Sequence, residues 1–106
     1  MPPTTAFVFA PDNQPLPDFV RAWLDACRWP IVTVTSADDL MSAALRSRPR
    51  IVIIDARTHP VAALRGCARL KADSFTGIVP AVVLTRAAGK SFASAFVVGA
   101  DEVLRD

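Results

Sequence analysis

The chain has 106 residues and a mass of 11.4 kDa, which is one domain with one self-sufficient core and leaves no room for a second folded unit. Hydrophobic residues make up 52% and charged ones 21%, with a mean hydropathy of +0.34, so a disordered chain is excluded. Lys and Arg total 12 against 10 for Asp and Glu, and the resulting +2 cannot supply the basic stripe of a nucleic-acid module, so no direct nucleic-acid partner is expected. Arg dominates the bases and Asp the acids, a bias that resembles a GC-rich bacterial genome. Cys27 and Cys67, with one His in the chain, form neither a CxxC pair nor a zinc ligand set and read as two small buried thiols. The N-terminal MPPTTAFVFAPD lacks the basic start of a signal peptide, and no stretch approaches the ~20 apolar residues of a membrane span. A cytoplasmic protein without a membrane partner is expected.

Thr5–Ala10 is a short apolar run closed by Pro11, Asp12 and Asn13, the pattern of a buried strand ending in a loop. Leu16, Phe19, Val20, Trp23, Leu24 and Cys27 then recur at helical spacing, with Pro17 and Asp18 suited to a first turn, and Trp23 reads as core. Trp29 and Pro30 break that helix, Trp29 being partly exposed, and Ile31–Thr35 is a β-branched strand. Ser36 and Asp39 approximate a capping box before a second helix that buries Leu40, Met41, Ala44 and Leu45 and stops at Arg48-Pro49. Ile51–Ile54, four branched aliphatics in a row ahead of Asp55, fit a central strand covered on both faces. Pro60 starts a third helix with Val61, Leu64, Cys67 and Ala68 inward and Gly66 as a weak point. Ile78–Thr85 is a fourth strand with Pro80 near its entrance, Ser91–Val98 a short helix capped by Gly99, and Asp101–Leu104 a brief fifth strand.

Five alternations of strand and helix predict an open, doubly wound parallel sheet over residues 1–106 with right-handed crossovers. In such α/β sheets ligands sit at the carboxyl ends of the strands, which here carry Asp12, Asp55, Thr85, Arg86, Arg105 and Asp106. With FVFAPDN, IVIIDARTHP, GCARLKAD, IVPAVVLTRA and GADEVLRD in this order, the chain resembles the receiver domain of bacterial two-component response regulators along nearly its whole length. The resemblance implies a flavodoxin-like strand order of 2-1-3-4-5. Asp55 is then the position that takes a phosphoryl group from a histidine kinase, and Thr85 the hydroxyl that contacts it. Asp12, Asp55 and the carbonyl of Arg57 match the Mg²⁺ ligands.

Several positions depart from that family pattern. Pro11 replaces one of two paired acids, Arg86 replaces a small residue, and His59 precedes Pro60 where the proline is expected. Val103 stands where an aromatic switch residue belongs, and Asp106 falls where the lysine should be. An acid there adds repulsion of order 1 kcal/mol or more at ~4 Å from another carboxylate. Arg86 beside the pocket, Arg105 after a one-residue slip, or Lys90 would have to supply the positive charge.

These departures imply a degenerate, non-enzymatic receiver with no cofactor, acting through a partner or as a homodimer by a face made of Phe92, Phe96, Val97 and Val103. Two alternatives stand beside it: a phospho-receiver that uses Asp55 with Mg²⁺, and a flavodoxin-like module that binds a small ligand in the same crevice. The fifth helix of the family is missing, which leaves the apolar sheet face beside the first helix uncovered and points to the N-terminal part of a longer signalling protein. Gly89-Lys90-Ser91 lacks the first glycine of a phosphate-binding loop, since that position is Leu84. His59 reads as an exposed loop residue, and Arg46, Arg48 and Arg50 form a basic edge at the opposite end of the sheet, solvated or docked on an acidic partner.

Overall fold

A computed structural model describes residues 5–86 and 91–106. The strands are β1 (Ala6–Phe9), β2 (Ile31–Val34), β3 (Ile51–Asp55), β4 (Ala81–Thr85) and β5 (Glu102–Arg105), and the helices are α1 (Asp18–Ala26), α2 (Ala37–Ser47), α3 (Pro60–Ala72) and α4 (Ser91–Val97). All strand pairs are parallel and the order is β2-β1-β3-β4-β5, as expected from the sequence. Parallel strands buried on both faces need apolar side chains at every position, and β1, β3 and β4 are buried throughout. β2 forms one edge and is largely exposed.

The sheet divides the core in two. On one face Leu40 and Ala44 of α2, Ala63, Cys67 and Leu70 of α3 and Ala95 of α4 pack on Phe7, Phe9, Val52, Ile54, Val83 and Val103. On the other face Val20 and Leu24 of α1 cover Val8, Ile51, Ile53, Val82 and Leu84. Among the described residues α1 is the only helix on that second face. Beside it lies an apolar groove of about 440 Å³ between Phe19, Trp23, Ile51, Val82 and Leu104.

Several helix stripes are rotated from expectation. α2 buries Leu40, Ala43 and Ala44 and leaves Leu45 48% exposed, while α3 turns Ala63, Gly66, Cys67 and Leu70 inward and Val61 outward. Leu40 and Leu70 reach the core from these faces, and small residues fill the rest of them where α2 and α3 pack side by side over the sheet. Trp23 is 40% exposed rather than core, its ring edge-on to Trp29 at 6.0 Å along the groove. Cys67 is buried as expected, and burial pushes its thiol up to about 11, but Cys27 caps α1 and is half-buried.

The boundaries also move. Pro17 sits at the N-cap of α1, accepting from the Val20 and Arg21 amides, rather than inside the first turn. β4 begins at Ala81, because Val79 donates to Thr76 in a turn and Pro80 has no amide, although its carbonyl accepts from Val52. Ser36 caps α2 as expected, its Oγ accepting from the Asp39 amide at 3.0 Å.

Asp101 ties the entrance of β5 to α3 and β4. Its Oδ2 accepts from Lys71 Nζ at 2.9 Å and from the Ala81 amide at 2.8 Å, and Lys71 also donates to the Val79 carbonyl. Partial burial acts to raise the Asp101 carboxyl, but the Lys71 ammonium and the Ala81 amide outweigh it and hold it below the usual carboxylate range. A carboxyl lowered in the folded state contributes stability that is complete above its unfolded pKa and is lost as the pH falls through its folded value. Half of the Asp101 side chain is exposed, so the screened effect is about 1 kcal/mol. Asp101→Asn is expected to be less stable than the native chain near neutral pH, with the gap closing as the pH falls below the ordinary carboxylate range, as read from urea midpoints.

Candidate functional site

Asp55 ends β3 at the carboxyl edge of the sheet, 2% exposed, because the Ile51–Ile54 run carries it to the strand's last position between β1 and β4. A buried carboxylate needs a partner of opposite charge or several hydrogen bonds. Here both come from Arg57. Its Nε donates to Asp55 Oδ1 at 3.0 Å, one terminal nitrogen donates to Oδ2 at 2.9 Å, and its backbone amide donates to Oδ1 at 3.1 Å. The two-residue spacing folds the side chain back over its own turn, so the fork meets both carboxylate oxygens side by side. This is the bidentate geometry in which guanidinium and carboxylate pair most strongly.

The same guanidinium reaches two other segments. It donates to Asp106 Oδ2 at 3.2 Å and to the Pro15 carbonyl at 2.6 Å. Arg57 therefore joins the loop after β1, the end of β3 and the residue after β5, with only 5% of its side chain exposed. Its pKa is held above the ordinary value, chiefly by the hydrogen bond to Asp55 and further by Asp106, against the opposing effect of burial. Thr58 extends the arrangement through a 2.6 Å hydrogen bond between its Oγ1 and Gln14 Oε1.

The residues expected at this site are only partly brought together. Thr85 is buried at the end of β4, but its hydroxyl donates to the Leu104 carbonyl at 3.4 Å and so turns toward β5. Asp12 is exposed and its Oδ1 accepts from the Gln14 amide at 3.3 Å, which makes it a turn residue of its own loop. Arg86 is exposed and forms no ion pair with Asp55 or Asp106. β5 does run one residue further than expected, with Arg105 paired to Thr85 and the Asp106 amide donating to the Thr85 carbonyl at 2.8 Å. Even so, the cation at Asp55 is Arg57 and not Arg105. Lys90 and Gly89 lie outside the described residues.

The Mg²⁺ ligands implied by the resemblance do not fit this arrangement. Mg²⁺ takes carboxylate, carbonyl and water oxygens in a near-octahedral shell, whereas both Asp55 oxygens are engaged by a guanidinium and Asp12 is committed to Gln14. No group of three His, Cys, Asp or Glu side chains that could hold a metal occurs among the described residues. Sequence reasoning considered Arg57 only for its carbonyl and missed its side chain. The signal was available as a charge count: an acid at 106 where a cation is expected, and a long cation two residues after Asp55.

The expected interaction face needs one correction. Val103 is 8% exposed and packed in the core against the α4 side of the sheet, since the inward parity of β5 falls on it. Phe96 and Val97 of α4 are 48% and 86% exposed, and the side chain of Phe92 lies outside the described residues. His59 is exposed at the start of α3 and makes no capping hydrogen bond with its side chain.

No family model and no curated protein matches this sequence. Solved structures do match. One is a protein assigned as a response regulator from Chloroflexus aurantiacus J-10-fl, with a TM-score of 0.80 and 18% identity over 98% of this chain and 85% of that one. Another is the chemotaxis protein CheY4 of Vibrio cholerae, with a TM-score of 0.74 and 15% identity over 97% of this chain and 87% of that one. The receiver domain of the sensor histidine kinase PA1611 from Pseudomonas aeruginosa PAO1, which holds a magnesium ion in its active-site cleft, matches with a TM-score of 0.68 and 19% identity over 98% of this chain and 85% of that one. The chain has the receiver fold of response regulators. No helix among the described residues is long and apolar enough to cross a membrane.

Proposed function

We propose that this chain is a signalling module of receiver fold that does not take a phosphoryl group and acts by binding a protein partner or a second copy of itself. The observation that carries the reading is the bidentate Arg57 on Asp55, with Asp106 as its second acid. An attacking carboxylate needs a free oxygen directed at the phosphorus and positive charge to meet the incoming phosphoryl oxygens. Here the Asp55 oxygens are occupied by N–H donors, and Asp106 is an acid where the charge of a cation would be needed. The internal arginine supplies permanently the neutralisation that a metal and a lysine would supply only in an active pocket. No enzymatic activity and no cofactor are required by this reading, and a histidine kinase is not its phosphoryl donor. The exposed Phe96 and Val97 on α4 offer apolar contact for a partner.

The test is intact-mass spectrometry after incubation with Mg²⁺ and acetyl phosphate, with Asp55→Ala as the control. No added phosphoryl mass is expected in either protein. A gain that Asp55→Ala abolishes would establish a phospho-receiver and overturn the proposal.

A further inference from the structure

At the edge of the sheet opposite Asp55, arginines and aromatic rings are brought together from loops distant in sequence. Because all strands are parallel, the α1–β2, α2–β3 and α3–β4 loops share this edge. The Arg48 guanidinium lies 4.2 Å from the centroid of the Phe75 ring, and that of Arg50 lies 5.7 Å from Trp29. Arg28 adjoins Trp29, and Arg46 lies in the last turn of α2. None of these four arginines forms an ion pair among the described residues. The acids nearby are otherwise engaged or set back: Asp73 accepts from the Phe75 and Thr76 amides, Asp101 is paired with Lys71, and Asp25 lies within α1.

Arg48 is held there against two local costs. Its backbone has φ 24 and ψ 95, in the region that favours glycine, immediately before Pro49, and its Nε is buried without a hydrogen-bond partner. Left-handed backbone and an orphaned buried donor each cost free energy and mark positions that the surrounding structure imposes. The side chain as a whole is half-buried, and the ends of its fork make no hydrogen bond among the described residues.

We propose that this edge is a docking surface for an acidic polypeptide segment that also carries an apolar side chain. Arg48 and Arg50, pre-oriented by the rings beneath them, receive carboxylates through planar forks, a geometry that a lysine cannot reproduce. Phe75, still 45% exposed, and Ile78, 66% exposed, receive the apolar group. Arginine and aromatic residues together are the composition of protein-binding hot spots. Single-stranded nucleic acid fits less well, because bases stack on open aromatic faces and the rings of Phe75 and Trp29 already carry guanidinium groups. The surface is independent of the chemistry of Asp55, so it stands or falls apart from the phosphorylation test.

The experiment titrates the chain with a short labelled peptide of Glu and Gly bearing one central Phe, its Gln-for-Glu counterpart, and a thymidine oligonucleotide of equal charge, by fluorescence anisotropy. The acidic peptide is expected to bind best, to weaken as salt rises, and to lose about tenfold or more in affinity with Arg48→Gln plus Arg50→Gln. Arg65→Gln plus Arg69→Gln, which removes the same charge from the exposed face of α3, is expected to leave binding nearly unchanged. A heteronuclear NMR titration of the native chain, which needs no variant to fold, is expected to move the Trp29 indole and the Phe75 and Arg50 amides first. No binding, equal binding of the Gln peptide, equal loss in the two double variants, tighter binding of the oligonucleotide, or shifts centred elsewhere would each overturn the proposal.

Discussion

Arg57→Ala is expected to destabilise the chain by about 3–5 kcal/mol and to make its melting temperature rise with added Mg²⁺, while the native chain shows no such response. Removing the guanidinium leaves Asp55, with 1% of its side chain exposed, and Asp106 without their shared cation. A buried carboxylate deprived of its cation keeps only the hydrogen bond from the backbone amide of residue 57, which does not offset its desolvation cost. The two acids that one guanidinium bridged then face the same space, where a divalent cation restores neutrality and stabilises by mass action. Arg57→Ala combined with Asp106→Lys is expected to recover a substantial part of the loss, because a cation re-enters the pocket from the other side. Urea denaturation of the two single variants and the double variant measures the coupling directly. A loss below about 1 kcal/mol for Arg57→Ala, or a native melting temperature that climbs with Mg²⁺, would show that the arginine does not hold the pocket closed.

Gly66→Ala is expected to destabilise by about 1–3 kcal/mol, although alanine is the better helix former by ~1 kcal/mol. A Cβ at Gly66 would overlap the ring of Phe9, which is 2% exposed and fixed in β1 between α2 and α3. The ring cannot retreat without disturbing the close-packed layer beneath those helices. Phe9→Leu in the Gly66→Ala background is expected to relieve the overlap, so that the pair of substitutions costs less than the sum of the two. Additive losses in thermal or urea unfolding would place the cost of Gly66→Ala elsewhere.

Much of the fold was legible because parallel strands announce themselves. The run Ile51–Ile54 can be buried only between two layers, and the five strand segments alternate with helical spacing in the order observed. Which arc of each helix meets the sheet was less legible, since apolar residues at Leu45, Val61 and Trp23 satisfy helical periodicity equally well yet sit exposed or at a groove. Periodicity gives a stripe and not its width, and where two helices lie side by side the small residues Ala43, Ala63 and Gly66 take the contact. The candidate site was legible as a place, Asp55 at the end of β3, but not as a charge arrangement. Positive charge was sought in Arg86, Arg105 and Lys90, which are distant in sequence from Asp55. It came from Arg57, whose reach depends on a turn that only coordinates reveal.

The pairing of Arg57 with both Asp55 and Asp106 also constrains how this sequence can change. A lysine placed at 106 alone would meet the guanidinium of Arg57 at close range, cation against cation. A small residue placed at 57 alone would leave two acids facing one another. Each single step away from the present pair is therefore worse than either end state, and only a concerted exchange at both positions avoids the barrier. In the language of mutational paths, positions 57 and 106 are in reciprocal sign epistasis, and the same two unfavourable intermediates separate the arrangements in either direction.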